Sequence, residues 1–406
     1  MATQRRHGTD GNGRMQARIK TMVAAVGVAA ALVGGAALPG GPAGARTATP
    51  RAGYGNGQIR FTQADGTVVA GPGFALPGAQ VLTGDFVGPD TEHDPEDILF
   101  YTPGPGGDLI SRSNGDGTFT SVPLDVSGTF RPIVGSFADF DGKDDILWYA
   151  PGAAADSLWD FNEDGTITKT PLAIGGTYTP LVGAFSDDVA DDIIWYAPGA
   201  GADSWWKFTS SGDTIIHTSI PLDVPGSPQP VVGRFGGAAD GITDILWYGP
   251  GTAADSLWDF HDDTTITKTP LTIDGSFTPV PGDFTHDGYD DVLWYGPGTA
   301  ADRLWNFTAP NGVHTSKVLR IDGRFTPVTC HCIGQTPGET DIAWFGAGTA
   351  PDRLWDFDLG FSYVSRPLTL SGSRRPVVGS FRGAVAPVVG DSTHYEAGDD
   401  FVDLGV

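Results

Sequence analysis

Asp145-Ile146-Leu147-Trp148-Tyr149 is one copy of a pentapeptide that returns along the whole chain. Before it comes Asp97-Ile98-Leu99-Phe100-Tyr101. After it come Asp192-Ile193-Ile194-Trp195-Tyr196, Asp244-Ile245-Leu246-Trp247-Tyr248, Asp291-Val292-Leu293-Trp294-Tyr295 and Asp341-Ile342-Ala343-Trp344-Phe345. Successive Asp positions lie 48, 47, 52, 47 and 50 residues apart. A fixed period in this range means one supersecondary unit stacked on copies of itself.

Each unit reads as four short strands. In the copy from Pro132 to Thr179, Pro132-Ile133-Val134-Gly135-Ser136-Phe137 is strand A and Ile146–Tyr149 is strand B. Ser157–Phe161 is strand C, the dipeptide Asp164-Gly165 is a hairpin turn, and Thr166–Thr170 is strand D. No helical period interrupts them, so the unit is an antiparallel propeller blade. Strand B is apolar on consecutive residues, which predicts cover on both faces. Blades packed side by side around a ring supply that cover. All 11 Trp fall in strand B or strand C, where they serve inter-blade packing or, in strand C, face a ligand.

Six full copies give blades near 80–131, 132–179, 180–229, 230–278, 279–326 and 327–375. The flanks give a seventh. Residues 54–79 match strands C and D, through Asn56–Phe61 and the Asp65-Gly66 turn. Residues 376–406 match strands A and B, through Pro376–Phe381 and Asp399–Leu404. The expected fold is all-β: a seven-bladed β-propeller of four-stranded blades, closed by the two chain ends pairing in one sheet.

The turn between strands A and B is rich in acids. In blade five it offers Asp283, Thr285, Asp287, Tyr289 through its carbonyl, and Asp291, with Gly288 at the bend. Oxygens at alternate positions closed by a carboxylate suit one hard cation. Blade two offers Asp139, Asp141 and Asp145. The same Asp recurs before strand B in blades without other ligands, so it also reads as a turn residue that bonds backbone N–H groups. The Val-x-Gly-x-Phe opening, the acidic turn and the Asp-Ile-Leu-Trp-Tyr strand resemble the FG-GAP/VCBS repeats of integrin α-subunit propellers and exported bacterial proteins. The resemblance covers nearly all of residues 54–406. It implies a seven-bladed propeller with Ca²⁺ in some A–B turns, and extracellular binding or adhesion. It names no ligand.

On the opposite face, the B–C loops repeat almost unchanged and end in Asp156, Asp203, Asp255, Asp302 and Asp352. With Trp258 and Trp305 nearby, these residues read in two ways. They line repeated pockets for a small polar ligand such as a sugar, or they anchor Gly-rich turns through backbone amides.

The ends and the composition set the compartment. Arg14, Arg18 and Lys20 precede a small-residue apolar run, Met22 to Leu38, and Ala43-Gly44-Ala45 fits an export cleavage site. Residues 1–45 are therefore read as a signal peptide, 46–53 as a linker and 54–406 as one propeller domain. The product is expected to be secreted, with no membrane span, and monomeric. The whole chain carries 24 Lys and Arg against 49 Asp and Glu. Residues 1–45 hold 5 and 1 of these, leaving 19 against 48 and a net charge of −29. Such a surface excludes nucleic acid as an expected partner and favours cations and basic surfaces. Cys330 and Cys332 flank His331 at the end of strand A in blade six, and disulfide, buried thiols and metal ligation are all open there. The sequence offers no nucleophile elbow, His-metal triad or phosphate loop. The function expected is an extracellular module that binds a protein or glycan. The alternatives are a multivalent lectin or, behind it, a carbohydrate-active enzyme.

Overall fold

The computed structural model describes residues 56–404, apart from loop stretches of which 369–376 and 382–398 are the longest. The expected export segment and linker, together with Asp139, lie outside the described residues. Seven separate four-stranded sheets make up the protein. Blade two shows the pattern: Arg131–Gly135, Asp145–Tyr149, Asp156–Phe161 and Ile167–Leu172 pair in sequence order, all antiparallel. Strand A of one blade lies beside strand A of the next, so these strands line the axis.

The seventh sheet joins the two ends of the chain. Its order is Val68–Ala75, Asn56–Thr62, Asp400–Leu404, Val377–Gly379. Gly57 faces Leu404 and Arg60 faces Phe401, while Val377 faces Val402. The ring is therefore closed by backbone pairing between the first and last strands, as the partial repeats at the two flanks predict.

Strand B is buried along its length in the six full copies, apart from Gly346 at the end of the sixth. Seven apolar clusters are formed by the described residues, and each joins two neighbouring blades. The repeated sequence encodes these junctions. The Tyr ending strand B packs on the strand B Trp of the following blade. Ring centroids are 4.9 Å apart for Tyr101–Trp148, 5.1 Å for Tyr149–Trp195 and 4.9 Å for Tyr196–Trp247. The Phe that follows strand A packs on the Phe ending strand C of the following blade, as in Phe137–Phe208 at 5.2 Å and Phe284–Phe357 at 4.9 Å. Edge and tilted contacts of this kind add to the burial of large rings.

The Gly of Val-x-Gly-x-Phe is required by close approach. A Cβ on Gly135 would lie 2.6 Å from the Phe137 ring and 3.1 Å from the Asp191 carboxylate of blade three. Blade six has Cys330 at the Gly position and Cys332 at the Phe position. They are joined in a disulfide, buried in the cluster between blades six and seven. The bridge stands where the other blades place a Phe ring against a glycine.

Candidate cation site at the turn between strands A and B

Two acids stand in sequence before most copies of strand B, and they have different tasks. The first clasps neighbouring blades. Asp144 donates its N–H to the Asp85 carbonyl of blade one at 2.7 Å, and its carboxylate accepts the Asp85 N–H at 2.9 Å. Asp191 does the same to Ser136, Asp290 to Arg234, Asp399 to His331 and Glu96 to Ser380. Thr243 and Thr340 keep only the backbone half, to Ala184 and Asp283. Burial, with the neighbouring Asp399 charge, raises Glu96 to about 8, and burial raises Asp144 to about 7. Five of the seven junctions thus carry a clasp carboxylate. The Glu96–Ser380 and Asp399–His331 clasps bind the closing sheet to both its neighbours.

The second acid, which opens strand B, accepts backbone N–H groups from its own blade. One oxygen of Asp97 takes Phe86 and Val87, and that of Asp244 takes Phe235 and Gly236. The other oxygen takes an amide of strand C: Asp97 from Ser113 at 2.8 Å, Asp192 from Phe208 at 2.9 Å, Asp244 from Phe260 at 3.0 Å and Asp341 from Phe357 at 3.3 Å.

Blade five breaks this rule. Asp291 Oδ2 accepts the Phe284 N–H at 3.0 Å, but its Oδ1 is buried with no hydrogen-bond partner. The turn above it is bent by left-handed backbone at His286 (φ 56°) and Gly288 (φ 90°). Asp283 accepts the N–H groups of Asp287 at 3.2 Å and Gly288 at 3.0 Å, and Asp287 accepts that of Tyr289 at 3.1 Å. The Thr285 hydroxyl accepts Asn306 Nδ2 from strand C at 3.1 Å. Asp283, Thr285, Asp290, Asp291 and Asn306 are all buried. Burial first, and then the charges of Asp283, Asp287 and Asp290, push Asp291 up to about 9. Burial and the Asp290 charge push Asp283 to about 6. Carboxylates this close repel one another, and a cation among them would remove the cost.

Blade two is arranged differently. Asp145 Oδ2 accepts the Phe137 and Ala138 N–H groups, both at 2.7 Å. Asp141 accepts those of Lys143 at 2.9 Å and Glu163 at 3.1 Å. The Lys143 side chain is wholly buried, with Nζ 2.9 Å from both oxygens of Asp85 in blade one. An ammonium therefore already sits in this junction. Among the described residues, no three His, Cys, Asp or Glu side chains converge as a ready metal centre. Asp283, Asp287 and Asp291 are among these residues, so their carboxylates do not meet at one point in this structure.

On the B–C face the repeated carboxylates turn inward. Asp156 accepts the N–H groups of Ala150 (2.8 Å) and Ile174 (2.7 Å), Asp203 those of Ala197 and Val224, and Asp255 those of Gly249 and Ile273. Asp302 accepts Gly296 at 2.8 Å and Ile321 at 2.6 Å, and Asp352 accepts Gly346 at 2.8 Å. Each of the first four carboxylates ties the end of strand B to the residues after strand D. Trp258 and Trp305 are buried, one beneath Lys268 Nζ at 3.4 Å and the other stacked on His314 at 3.9 Å. Asp302→Ala should therefore destabilise the fold by about 1–3 kcal/mol for each orphaned amide, read from urea denaturation. Unchanged stability with lost glycan binding would instead restore the sugar-pocket reading of these loops.

Comparisons of the chain with protein families and with curated proteins return no match.

The clasp residues, Lys143 and Asn306 are absent from the sequence-derived set. The doublets Asp144-Asp145, Asp191-Asp192, Asp290-Asp291 and Asp399-Asp400 were the visible signal for the clasp. Nothing local marks Asn306, which reaches the turn from strand C.

Proposed function

We propose that this propeller is an exported extracellular binding or adhesion module of the FG-GAP/VCBS kind, stabilised by Ca²⁺ at the blade-five turn. One observation carries the cation: Asp291 Oδ1 is buried without a partner in the blade whose turn has the fullest ligand pattern. Leaving a carboxyl oxygen buried and unpaired is costly, and a calcium ion taking six to eight oxygens would use it. Asp283, Thr285, Asp287, Asp291 and the Tyr289 carbonyl are the donors assigned to it. The ion supplies charge compensation and holds the turn. Export rests on the segment before residue 46. Binding rests on the fold, whose faces are built from repeated loops, and on the acidic surface, which points to a basic protein patch or a glycan.

Calorimetry on the purified chain tests the cation. Calcium in hundredfold excess over Kd should raise stability by about 2.7 kcal/mol, and Asp291→Ala should abolish the effect. A melt that is the same in calcium and in chelator would remove calcium from this reading. Glycan and protein arrays probed with and without chelator would then identify the partner class.

A further inference from the structure

We propose that Asn306 of strand C is itself a ligand of the blade-five cation, and that the residue at this strand position decides whether a turn recruits a cation or carries its own. The inference rests on the calcium reading above. Asn306 is the fifth residue of its strand, Asp302–Ala309. The same position holds Arg112 in blade one, Asp160 in blade two, Lys207 in blade three, Asp259 in blade four, Asp356 in blade six and Arg60 in blade seven.

This position lies against the A–B turn of its own blade. A Cβ on Gly88 in the blade-one turn would come within 3.0 Å of the Arg112 guanidinium. One on Gly236 in the blade-four turn would come 2.4 Å from Asp259 Cγ. Asp160 lies close enough to Asp141 for the two charges to interact.

A hydrogen bond ties the Asn306 amide to the turn, its Nδ2 donating to the Thr285 hydroxyl at 3.1 Å. Asn306 Oδ1 is left buried with no partner, in the same blade as the unpartnered Asp291 Oδ1. Two orphaned oxygen acceptors at one turn are what a hard cation would satisfy.

Blades one and six meet the charge from within. Blade one supplies Arg112 to its turn, and blade six pairs Asp356 with Arg366 of strand D at 2.7 Å. In blade four Arg234 replaces the first acid of the turn. Asn306 is the neutral choice, which adds an oxygen without adding to the repulsion among Asp283, Asp287, Asp290 and Asp291.

The test is titration of CaCl₂ into the full chain and its variants, with melts in calcium and in chelator. Asn306→Ala should weaken binding about tenfold or more, as loss of a metal-supporting group does. Asn306→Asp should bind at least as tightly as wild type but melt lower in chelator, since it loses the N–H to Thr285 and adds a charge. Asn306→Lys should show no calcium binding, and in chelator should melt no lower than wild type, because the ammonium faces the acids as Lys143 faces Asp85. Wild-type Kd in both Asn306→Ala and Asn306→Lys would overturn the assignment while leaving calcium in place. No binding by wild type would overturn the calcium reading and this inference with it.

Discussion

Truncation before Val377 should abolish the cooperative fold, although it leaves six complete blades. The deletion removes Val377–Gly379 and Asp400–Leu404, and with them two strands of the closing sheet. The hairpin of Asn56–Thr62 and Val68–Ala75 then has no partner, and an isolated hairpin is marginal in water. Val378, Phe381, Phe401 and Val402 leave two apolar clusters. At about 1.5–3 kcal/mol for each side chain returned to water, that loss alone approaches the 5–15 kcal/mol that holds a typical domain together. The clasps of Glu96 to Ser380 and of Asp399 to His331 go too. Circular dichroism through a thermal ramp should show a broad, low transition, and a peptide of residues 377–404 added in trans should restore part of it. A sharp melt within a few degrees of the full chain would mean that six blades hold without closure.

The fold was legible because strand B must be apolar on both faces, and that requirement writes the same five letters at every junction. The closing blade could be found because strands C–D at one end and A–B at the other keep their own letters. Chemistry was harder to read because one residue type serves several tasks. Asp145 and Asp291 occupy the same slot, yet Asp145 is saturated on one oxygen by two backbone amides while Asp291 keeps an oxygen free of them. The difference lies in how many amides of the turn reach the carboxylate, two at Asp145 and one at Asp291, and the sequence does not state it. Lys143 looks like a solvated turn residue and is instead a buried counter-ion for the neighbouring blade. Asn306 reaches the turn from strand C, where only antiparallel pairing brings it close. Cys330 and Cys332 left three options open, although their slots in the repeat were legible, and the structure joins them in a disulfide.

The second large effect concerns the strand B tryptophans. Trp148, Trp195, Trp247, Trp294 and Trp344 are all buried, and none of their indole N–H groups has a hydrogen-bond partner. Trp205 of strand C is equally buried, but its Nε1 donates to Asp192 Oδ2 at 3.1 Å. Trp247→Ala should cost about 3–5 kcal/mol, because it opens a cavity between blades three and four that the rigid sheets cannot close. Trp247→Phe should cost far less. The ring still packs on Tyr196, and the change removes an unsatisfied donor whose burial cost about 1–3 kcal/mol. Trp205→Phe removes ring area of the same size but leaves the Asp192 carboxylate short of a donor. A hydrogen bond to a charged group contributes about 1.5–3 kcal/mol, so Trp205→Phe should be the more damaging of the two by about that amount. Urea denaturation of the three variants, read by far-UV circular dichroism, gives the comparison directly. Equal losses for Trp205→Phe and Trp247→Phe would mean that ring volume alone sets these junctions. A smaller loss for Trp247→Phe would mean that the repeat keeps tryptophan in strand B for its size, at the expense of a buried donor in each blade that carries it.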